Sequence, residues 1–233
     1  MLTIEKLECG YGKLPVLRGV SFTVGAESVG LFGPNGAGKT TLINALLGIV
    51  KPRAGRIDFD GLPLGTMKTH DIARAGIALV PQERELFPWL SVADNLELGA
   101  AYIPHARDRI AGQLETVLSL FPILKERYRQ LAGTMSGGQQ RMVAIARALM
   151  AAPKLLVLDE PSLGLQPSIV AEVFEKLAGL KKSVSILVTE QNVRESLRAI
   201  DRGYVLENGA IALADTADGL AHNPHVVSSY LGI

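Results

Sequence analysis

The chain has 233 residues, and its 24 Lys and Arg against 23 Asp and Glu give a formal net charge of +1, which argues against nucleic acid as a partner. Hydrophobic residues make up 48% of the sequence, yet charge, Gly or Pro interrupts every apolar stretch before the roughly 18 residues that span a bilayer. Since the start of the sequence lacks a secretory signal and Cys9 is the single cysteine, we expect a cytosolic protein without disulfides.

The first third of the chain has the pattern of a sheet interrupted by one helix. Alternating apolar residues and short apolar runs indicate the strands, and the helix follows a glycine-rich turn. The predicted strands cover residues 2–7, 20–24, 28–32, 56–60 and 77–80, and the predicted helix covers residues 40–47.

Strand patterns are missing between residues 83 and 152 and return afterwards. Helices are predicted at 93–98, 107–121 and 138–150, followed by strands at 155–158, 186–188 and 204–206, a helix at 169–181 and two short helices within 215–231, split at Asn223-Pro224. The later alternation of strand and helix is typical of a parallel sheet. We therefore predict a single α/β domain, 1–233, with a core of 1–82 and 153–233 and an inserted helical subdomain at 83–152.

A phosphate-binding loop is indicated between the strand at 28–32 and the helix that follows it. The segment Gly33-Pro34-Asn35-Gly36-Ala37-Gly38-Lys39-Thr40 matches the pattern G-x-x-x-x-G-K-[ST] in its strand-to-helix context. The glycines let backbone N–H groups surround phosphate oxygens at the positive end of the helix. We expect Lys39 to reach the β- and γ-phosphates of ATP, Thr40 to bind Mg²⁺, and Thr41 to contact the α-phosphate side.

Two carboxylates follow the apolar strand predicted at 155–158. A strand buried on both faces would bring Asp159 to the carboxyl edge of the sheet, where ligands of open α/β sheets bind. Asp159 is then the expected outer partner of Mg²⁺, and Glu160 is the expected general base that polarises the attacking water. The alternative is a strand end with solvated acids.

A second glycine-rich helix start lies at Met135-Ser136-Gly137-Gly138-Gln139. It resembles the signature of ABC ATPases, usually Leu-Ser-Gly-Gly-Gln, with Met135 at the leucine position; a plain helix cap would explain Ser136 but not the Gly-Gly-Gln after it. The resemblance implies a P-loop NTPase fold with a mostly parallel central sheet, an antiparallel β subdomain and a helical insertion. It also implies a head-to-tail dimer in which Ser136, Gly137, Gly138 and Gln139 of one subunit close over ATP held by the other.

The same resemblance assigns three further positions. Tyr11 matches the aromatic residue that stacks on adenine, with Val16 beside it, although a turn aromatic is an alternative for Tyr11. Gln82 matches the glutamine that contacts Mg²⁺ and the attacking water, with an exposed loop glutamine as its alternative.

One position departs from the family pattern next to the reaction. Gln191 stands where most family members have the histidine that senses the γ-phosphate. Glutamine can donate and accept hydrogen bonds, but it cannot gain a proton near neutral pH. We therefore expect Gln191 to position the phosphate and to support slower hydrolysis than histidine would. Leu165 also departs, since the family usually has aspartate there, and this weakens any inference about contacts across the dimer.

Longer stretches resemble one branch of the family, the smaller ATP-binding subunit of bacterial branched-chain amino-acid importers. These stretches are 132–138, 159–165, 190–192, 201–209 and 230–232. The resemblance implies membrane permeases, a second ATP-binding subunit, a periplasmic binding protein and a place on the inner face of the plasma membrane. Urea and amide importers have similar ATPases and stay open as alternatives.

The permease contact is expected on the helical insertion, at Phe87-Pro88-Trp89-Leu90, although these residues could instead cap the local core. Three other classes of protein fit the sequence less well. A non-transport ABC ATPase acting on DNA or ribosomes would carry a coiled-coil insertion or a second ATPase. A P-loop kinase would not need residues 136–139, and an inactive regulatory nucleotide binder would not need Lys39, Asp159 and Glu160 together.

Overall fold

The computed structural model describes residues 1–83, 85–181, 183–191 and 193–231. Asn192 and Gly232, which contribute to the resemblance above, lie outside these ranges. The described residues form two sheets, and together with the helices they give the mixed α/β fold that the sequence predicts.

The smaller sheet is antiparallel and has the strand order β2-β1-β4-β5. Its first two strands are longer than predicted. Their pairing has register shifts around Leu7 and Cys9, and both of these residues are buried although the polar residues beside them are exposed. The strands are β1 (Leu2–Tyr11), β2 (Leu14–Val24), β4 (Ala54–Phe59) and β5 (Leu62–Pro63).

The larger sheet has the order β10-β9-β3-β8-β7-β6. Every neighbouring pair is parallel except β9 with β10, so the carboxyl ends of β3, β6, β7 and β8 meet at one edge. The strands are β3 (Ser28–Phe32), β6 (Ile77–Val80), β7 (Leu155–Asp159), β8 (Ser185–Glu190), β9 (Arg202–Glu207) and β10 (Ala210–Thr216). Residues 215 and 216, predicted as part of the helical tail, belong to the edge strand β10 instead.

The described residues between β6 and β7 fold into helices. The sequence predicts one helix over 107–121, but the chain breaks it, because Arg109 N donates to Ala106 O in a turn tighter than an α-helix and residues 107–109 are all exposed. The α-helices of this region are α3 (Val92–Ala101), α4 (Pro104–Arg107), α5 (Ile110–Leu120), α6 (Pro122–Glu126) and α7 (Gly137–Met150).

The other helices pack around the sheets or follow them. The tail divides at Asn223, as predicted, since its side chain accepts a hydrogen bond from His225 N and caps the helix that starts at Pro224. These helices are α1 (Lys39–Leu46), α2 (Thr69–Arg74), α8 (Pro167–Leu180), α9 (Val193–Ser196), α10 (Ala217–His222), α11 (Pro224–Val226) and a π-helical turn (Val227–Leu231).

Strand β7 separates two hydrophobic cores. Leu156 and Leu158 point into the core formed with the helices of the middle region, whereas Leu155 and Val157 point into the core shared with α1 and the antiparallel sheet. Burial on both faces explains the uninterrupted apolar run before Asp159. No helix in the described part of the chain is long and apolar enough to cross a bilayer.

Candidate nucleotide site

The loop between β3 and α1 lies at the carboxyl edge of the larger sheet, as its sequence pattern predicts. Two of its glycines are required by the backbone. A Cβ on Gly33 would lie 2.2 Å from Leu206 O, and Gly38, which precedes the first helical residue, has a φ of +113°. The backbone can therefore turn tightly into α1 and leave the amino end of this helix open to a ligand.

Lys39 is the first residue of α1 and is only 4% exposed. Its ammonium donates to Gly33 O at 2.7 Å and to Pro34 O at 3.3 Å, and it lies 3.1 Å from Glu160 Oε1. A buried ammonium is unfavourable unless it is paired. The loop carbonyls and the carboxylate together keep this cation in the middle of the site.

A pocket of about 470 Å³ surrounds this ammonium. Its lining combines polar and apolar groups from the loop, from Gln82 after β6 and from Glu160 after β7. Every residue that lines it is predicted as a site residue from the sequence. The lining residues are Val16, Pro34, Asn35, Gly36, Gly38, Lys39, Thr40, Thr41, Gln82 and Glu160.

Asp159 is the last residue of β7 and Glu160 follows it beside the loop, and both side chains are buried. Glu160 has a φ of +44°, a left-handed conformation that costs a non-glycine residue energy, and its backbone N–H donates to Thr189 O at 3.0 Å. This turn directs the two consecutive carboxylates to different neighbours. Asp159 accepts a hydrogen bond from Thr189 Oγ1 at 2.6 Å, and Glu160 faces Lys39 and Gln82.

The protonation of Asp159 is sensitive to its surroundings. Burial raises the pKa of its carboxyl above the usual range, and the charge of Glu160 acts in the same direction. Hydrogen bonds from Thr189 and Thr40 and the charge of Lys39 oppose this rise. A cation at Asp159 would favour the ionised carboxylate further.

The predicted Mg²⁺ donors are a hydroxyl of Thr40, a carboxylate of Asp159 and an amide oxygen of Gln82. Thr40 and Asp159 are within hydrogen-bonding reach of each other, and Gln82 contacts the neighbouring Glu160, with Nε2 to Oε2 at 3.4 Å. Oxygen donors of this kind suit Mg²⁺, which keeps several waters and takes one or two carboxylates. The donor set therefore fits the ion. Among the described residues no group of three or more His, Cys, Asp and Glu side chains could hold a metal ion by itself, so Mg²⁺ would be bound together with the nucleotide.

Tyr11 and Val16 occupy different positions relative to the pocket. Val16 lines it, whereas Tyr11 is 49% exposed, is absent from the lining, and accepts a hydrogen bond from Asn44 Nδ2 of α1 at 3.2 Å. The stacking of Tyr11 on adenine stays a prediction.

The signature residues are at the amino end of α7 and outside the pocket. Ser136 Oγ accepts from Gln139 N at 3.4 Å, and Gln139 Oε1 accepts from Ser136 N at 3.1 Å, so the two residues form a capping box. A Cβ on Gly138 would lie 2.5 Å from Ile169 Cγ2. Helix capping and packing therefore explain more of this motif than the sequence argument assumed, and ATP contact across a dimer stays a prediction.

Gln191 lies outside the loop pocket, in a second cleft of about 630 Å³ that shares Pro34 and Glu160 with it. The far wall of this cleft includes Ser162 and the tail residue Tyr230. Gln191 therefore lines a cleft that adjoins the nucleotide pocket at Pro34 and Glu160.

Sequence reasoning missed Thr189 and Glu190, which support the site from β8. Glu190 is 2% exposed and accepts from Ser162 N at 2.9 Å, and burial raises the pKa of its carboxyl. The parallel pairing of Asp159 with Thr189 explains the Thr189 contact. A polar residue at the end of a second buried parallel strand was the signal available in the sequence.

A second surface feature lies away from the nucleotide pocket. Trp89 is 85% exposed and Phe87 is 51% exposed, so the alternative that these residues cap the local core does not hold for Trp89. Phe87 lines a largely apolar groove of about 610 Å³ that reaches Leu47 and Ile49 on one side and Tyr102 on the other.

Comparison with known proteins agrees with this geometry. Residues 17–163 match the family model described as ABC transporter. The chain is 46% identical to the high-affinity branched-chain amino acid transport ATP-binding protein BraG of Pseudomonas aeruginosa, over all of both chains. It is also 39% identical to the lipopolysaccharide export system ATP-binding protein LptB of Escherichia coli, over 99% of this chain and 97% of LptB. An ADP-bound ATP-binding cassette, MJ1267, superimposes with a TM-score of 0.87 at 29% identity over 100% of this chain and 99% of its own.

Proposed function

We propose that this chain, which belongs to the ABC transporter family and is an ATP-hydrolysing transporter subunit, uses ATP hydrolysis to drive the uptake of branched-chain amino acids. The observation that carries the ATP-hydrolysing role is the buried ammonium of Lys39, held against Glu160 inside the pocket of the glycine-rich loop. The full-length similarity to BraG supports the choice of cargo.

Lys39 would transfer from Glu160 and the loop carbonyls to the terminal phosphates of ATP when the nucleotide binds. This transfer would free the Glu160 carboxylate to accept a proton from the attacking water. Gln82, already in contact with Glu160, would orient that water. Mg²⁺ held by Thr40, Asp159 and Gln82 would neutralise phosphate charge.

The second half of each ATP site is proposed to come from another ATP-binding subunit. The capping box at Ser136 leaves the amino end of α7 on the surface, since Ser136 itself is exposed. A helix amino end with free N–H groups can bind the γ-phosphate of ATP held by a partner. The partner is either a second copy or a related subunit that carries histidine at the Gln191 position.

The apolar groove lined by Phe87, together with the exposed Trp89 two residues further along the chain, is the proposed docking site for a membrane permease. Exposed apolar side chains gathered around one concave surface indicate a protein contact, and Trp is a frequent anchor in such contacts. Glu85 and Phe87, which line the groove, follow Gln82 closely along the chain. A permease bound there would therefore be coupled to the binding and hydrolysis of ATP in the nucleotide pocket.

Uptake by the assembled transporter tests the proposal. Membranes that contain this chain, its permeases and the binding protein should accumulate radiolabelled leucine only with Mg-ATP, and Lys39→Ala should abolish accumulation. A Lys125→Ala variant, altered at an exposed lysine of α6, is the matched control. If ATP hydrolysis persists but leucine, isoleucine and valine fail to enter or to stimulate it, the cargo assignment is wrong.

Export of a lipid is the second candidate, because the similarity to LptB covers nearly the whole of both chains. The two functions differ in their permeases and in the direction of movement. Co-purification of the native complex separates them, since an importer yields an amino-acid-binding protein and a lipid exporter does not.

A further inference from the structure

Arg141 is the largest fully buried side chain among the described residues, at 1% exposed, and the reaction scheme above does not use it. It lies on α7, in the second turn after the capping residue Ser136. Burying a guanidinium is unfavourable unless good hydrogen bonds replace its water. A charge in this position therefore needs a specific reason.

The contacts of Arg141 supply that reason. Its Nη1 donates to Pro81 O at 2.8 Å and its Nη2 donates to Gln82 O at 2.6 Å. Hydrogen bonds from a charged donor are stronger than neutral ones, and the planar fork of arginine fixes two acceptors at once. The backbone of Gln82 is thus attached to the helix that begins with the signature motif.

A second arginine of the same helix holds the other end of this segment. Arg147 Nη2 donates to Glu85 O at 2.9 Å, and its guanidinium lies 5.7 Å from the centre of the Phe87 ring. Helix α7 therefore contacts the segment from Pro81 to Phe87 at both ends. One end carries the glutamine of the nucleotide pocket, and the other lines the apolar groove.

We propose that Arg141 is a positioning residue for ATP hydrolysis, which locks the backbone of Gln82 to α7 so that the amide and the signature end of the helix move together. This inference rests on the proposed function, since it assigns to Gln82 a role at the attacking water. Arg141 does not line the nucleotide pocket, so its effect on the reaction would pass through the backbone of Gln82.

A double-mutant cycle in the purified full-length subunit tests the inference. The variants are Arg141→Met, Gln82→Ala and the pair, and the readouts are kcat and KM for Mg-ATP. We expect each single variant to lower kcat by about tenfold or more with KM changed less than about threefold. The pair should be no more than about twofold slower than the slower single variant, because both changes remove the same function.

A purely structural role for Arg141 predicts different results. The losses in kcat would then multiply in the double variant, or KM would rise together with a falling melting temperature, and either result overturns the inference. Arg129→Met, which removes an exposed arginine from the same region, is the control and should behave as wild type.

Arg141→Lys keeps the inference testable if Arg141→Met does not fold. Lysine retains the charge but offers a single ammonium in place of the fork, so we expect a kcat between those of wild type and Gln82→Ala. A wild-type kcat in Arg141→Lys would show that hydrolysis does not require the two hydrogen bonds from Arg141 to the carbonyls of Pro81 and Gln82. Lys39→Ala distinguishes failure of the proposed function from failure of this inference. ATPase activity that survives Lys39→Ala contradicts the nucleotide site itself, whereas losses in kcat that multiply in the double variant contradict only the role of Arg141.

Discussion

Glu160→Gln should separate ATP binding from ATP hydrolysis, because Glu160 serves both. In the structure its Oε1 lies 3.1 Å from the ammonium of Lys39, and the two side chains are 10% and 4% exposed. ATP must draw this ammonium away from the carboxylate. Glutamine has nearly the same shape, but it competes for Lys39 less strongly and repels the phosphates less.

The size of the effect follows from the geometry. At an effective dielectric constant of about 20, two unit charges at this separation attract by about 5 kcal/mol before solvent and rearrangement are counted. Part of the attraction remains because the amide oxygen of glutamine still accepts from Lys39. We therefore expect Mg-ATP to bind more tightly by about 1.5 to 3 kcal/mol, or roughly ten- to a hundredfold in Kd.

Hydrolysis should change in the opposite direction. Loss of a general base lowers kcat by about 10² to 10⁴. Equilibrium binding of a fluorescent ATP analogue and steady-state phosphate release measure the two effects in the same preparation. Glu175→Gln, which removes an exposed carboxylate of α8, is the control for charge. Unchanged or weaker ATP binding in Glu160→Gln would show that the Lys39 contact does not compete with nucleotide.

Three further predictions concern residues around the site. Glu190→Gln should stabilise the fold by about 1 kcal/mol at pH 8 and by less at pH 5. Burial raises the pKa of the Glu190 carboxyl, so ionising this carboxyl lowers the stability of the wild type as the pH rises above the usual glutamate range. Chemical denaturation at both pH values measures the difference. Gln191→His should raise the ATPase rate of the assembled transporter, since histidine can carry a proton near neutral pH. Trp89→Ala should weaken permease binding by about 2 kcal/mol and leave ATP affinity unchanged, as co-purification and nucleotide titration would report.

Each of these has an outcome that contradicts it. An equal gain in stability at both pH values would mean that Glu190 is not penalised by burial. An unchanged or slower ATPase rate in Gln191→His would show that a protonatable side chain at this position does not speed hydrolysis. Equal loss of permease and ATP binding in Trp89→Ala would point to general damage, and Leu14→Ala, at a residue 68% exposed on the antiparallel sheet, is the matched control.

The sequence predicts the parts of the site that are continuous along the chain. The pocket loop from Gly33 to Thr41 is one segment between a strand and a helix, and β7 with its two acids is another. In both, local chemistry restricts the conformation, through the glycines of the loop and the burial of β7 on both faces. These two segments supply eight of the ten residues that line the nucleotide pocket, whereas Val16 and Gln82 lie outside them and are predicted only through the family resemblance.

The sequence does not predict contacts that depend on strand register or on helix placement. The bond from Thr189 to Asp159 exists because β7 and β8 pair in one register, and the burial of Arg141 depends on where α7 rests against the chain after β6. The left-handed φ of Glu160 likewise has no local signal, since no glycine or asparagine marks the position. The sequence indicates a helix cap at Ser136, but it does not show that Gln139 completes a capping box or that Gly138 packs closely against Ile169.

The central strand β7 has a consequence for how the molecule melts. Because adjacent residues of this strand belong to opposite cores, neither core can lose its packing without exposing the shared strand. The subunit should therefore unfold cooperatively, in one transition. Nucleotide bound beside α1 would then slow the exchange of those amides in distant helices such as α5 that exchange only through global unfolding, even though it touches none of these helices.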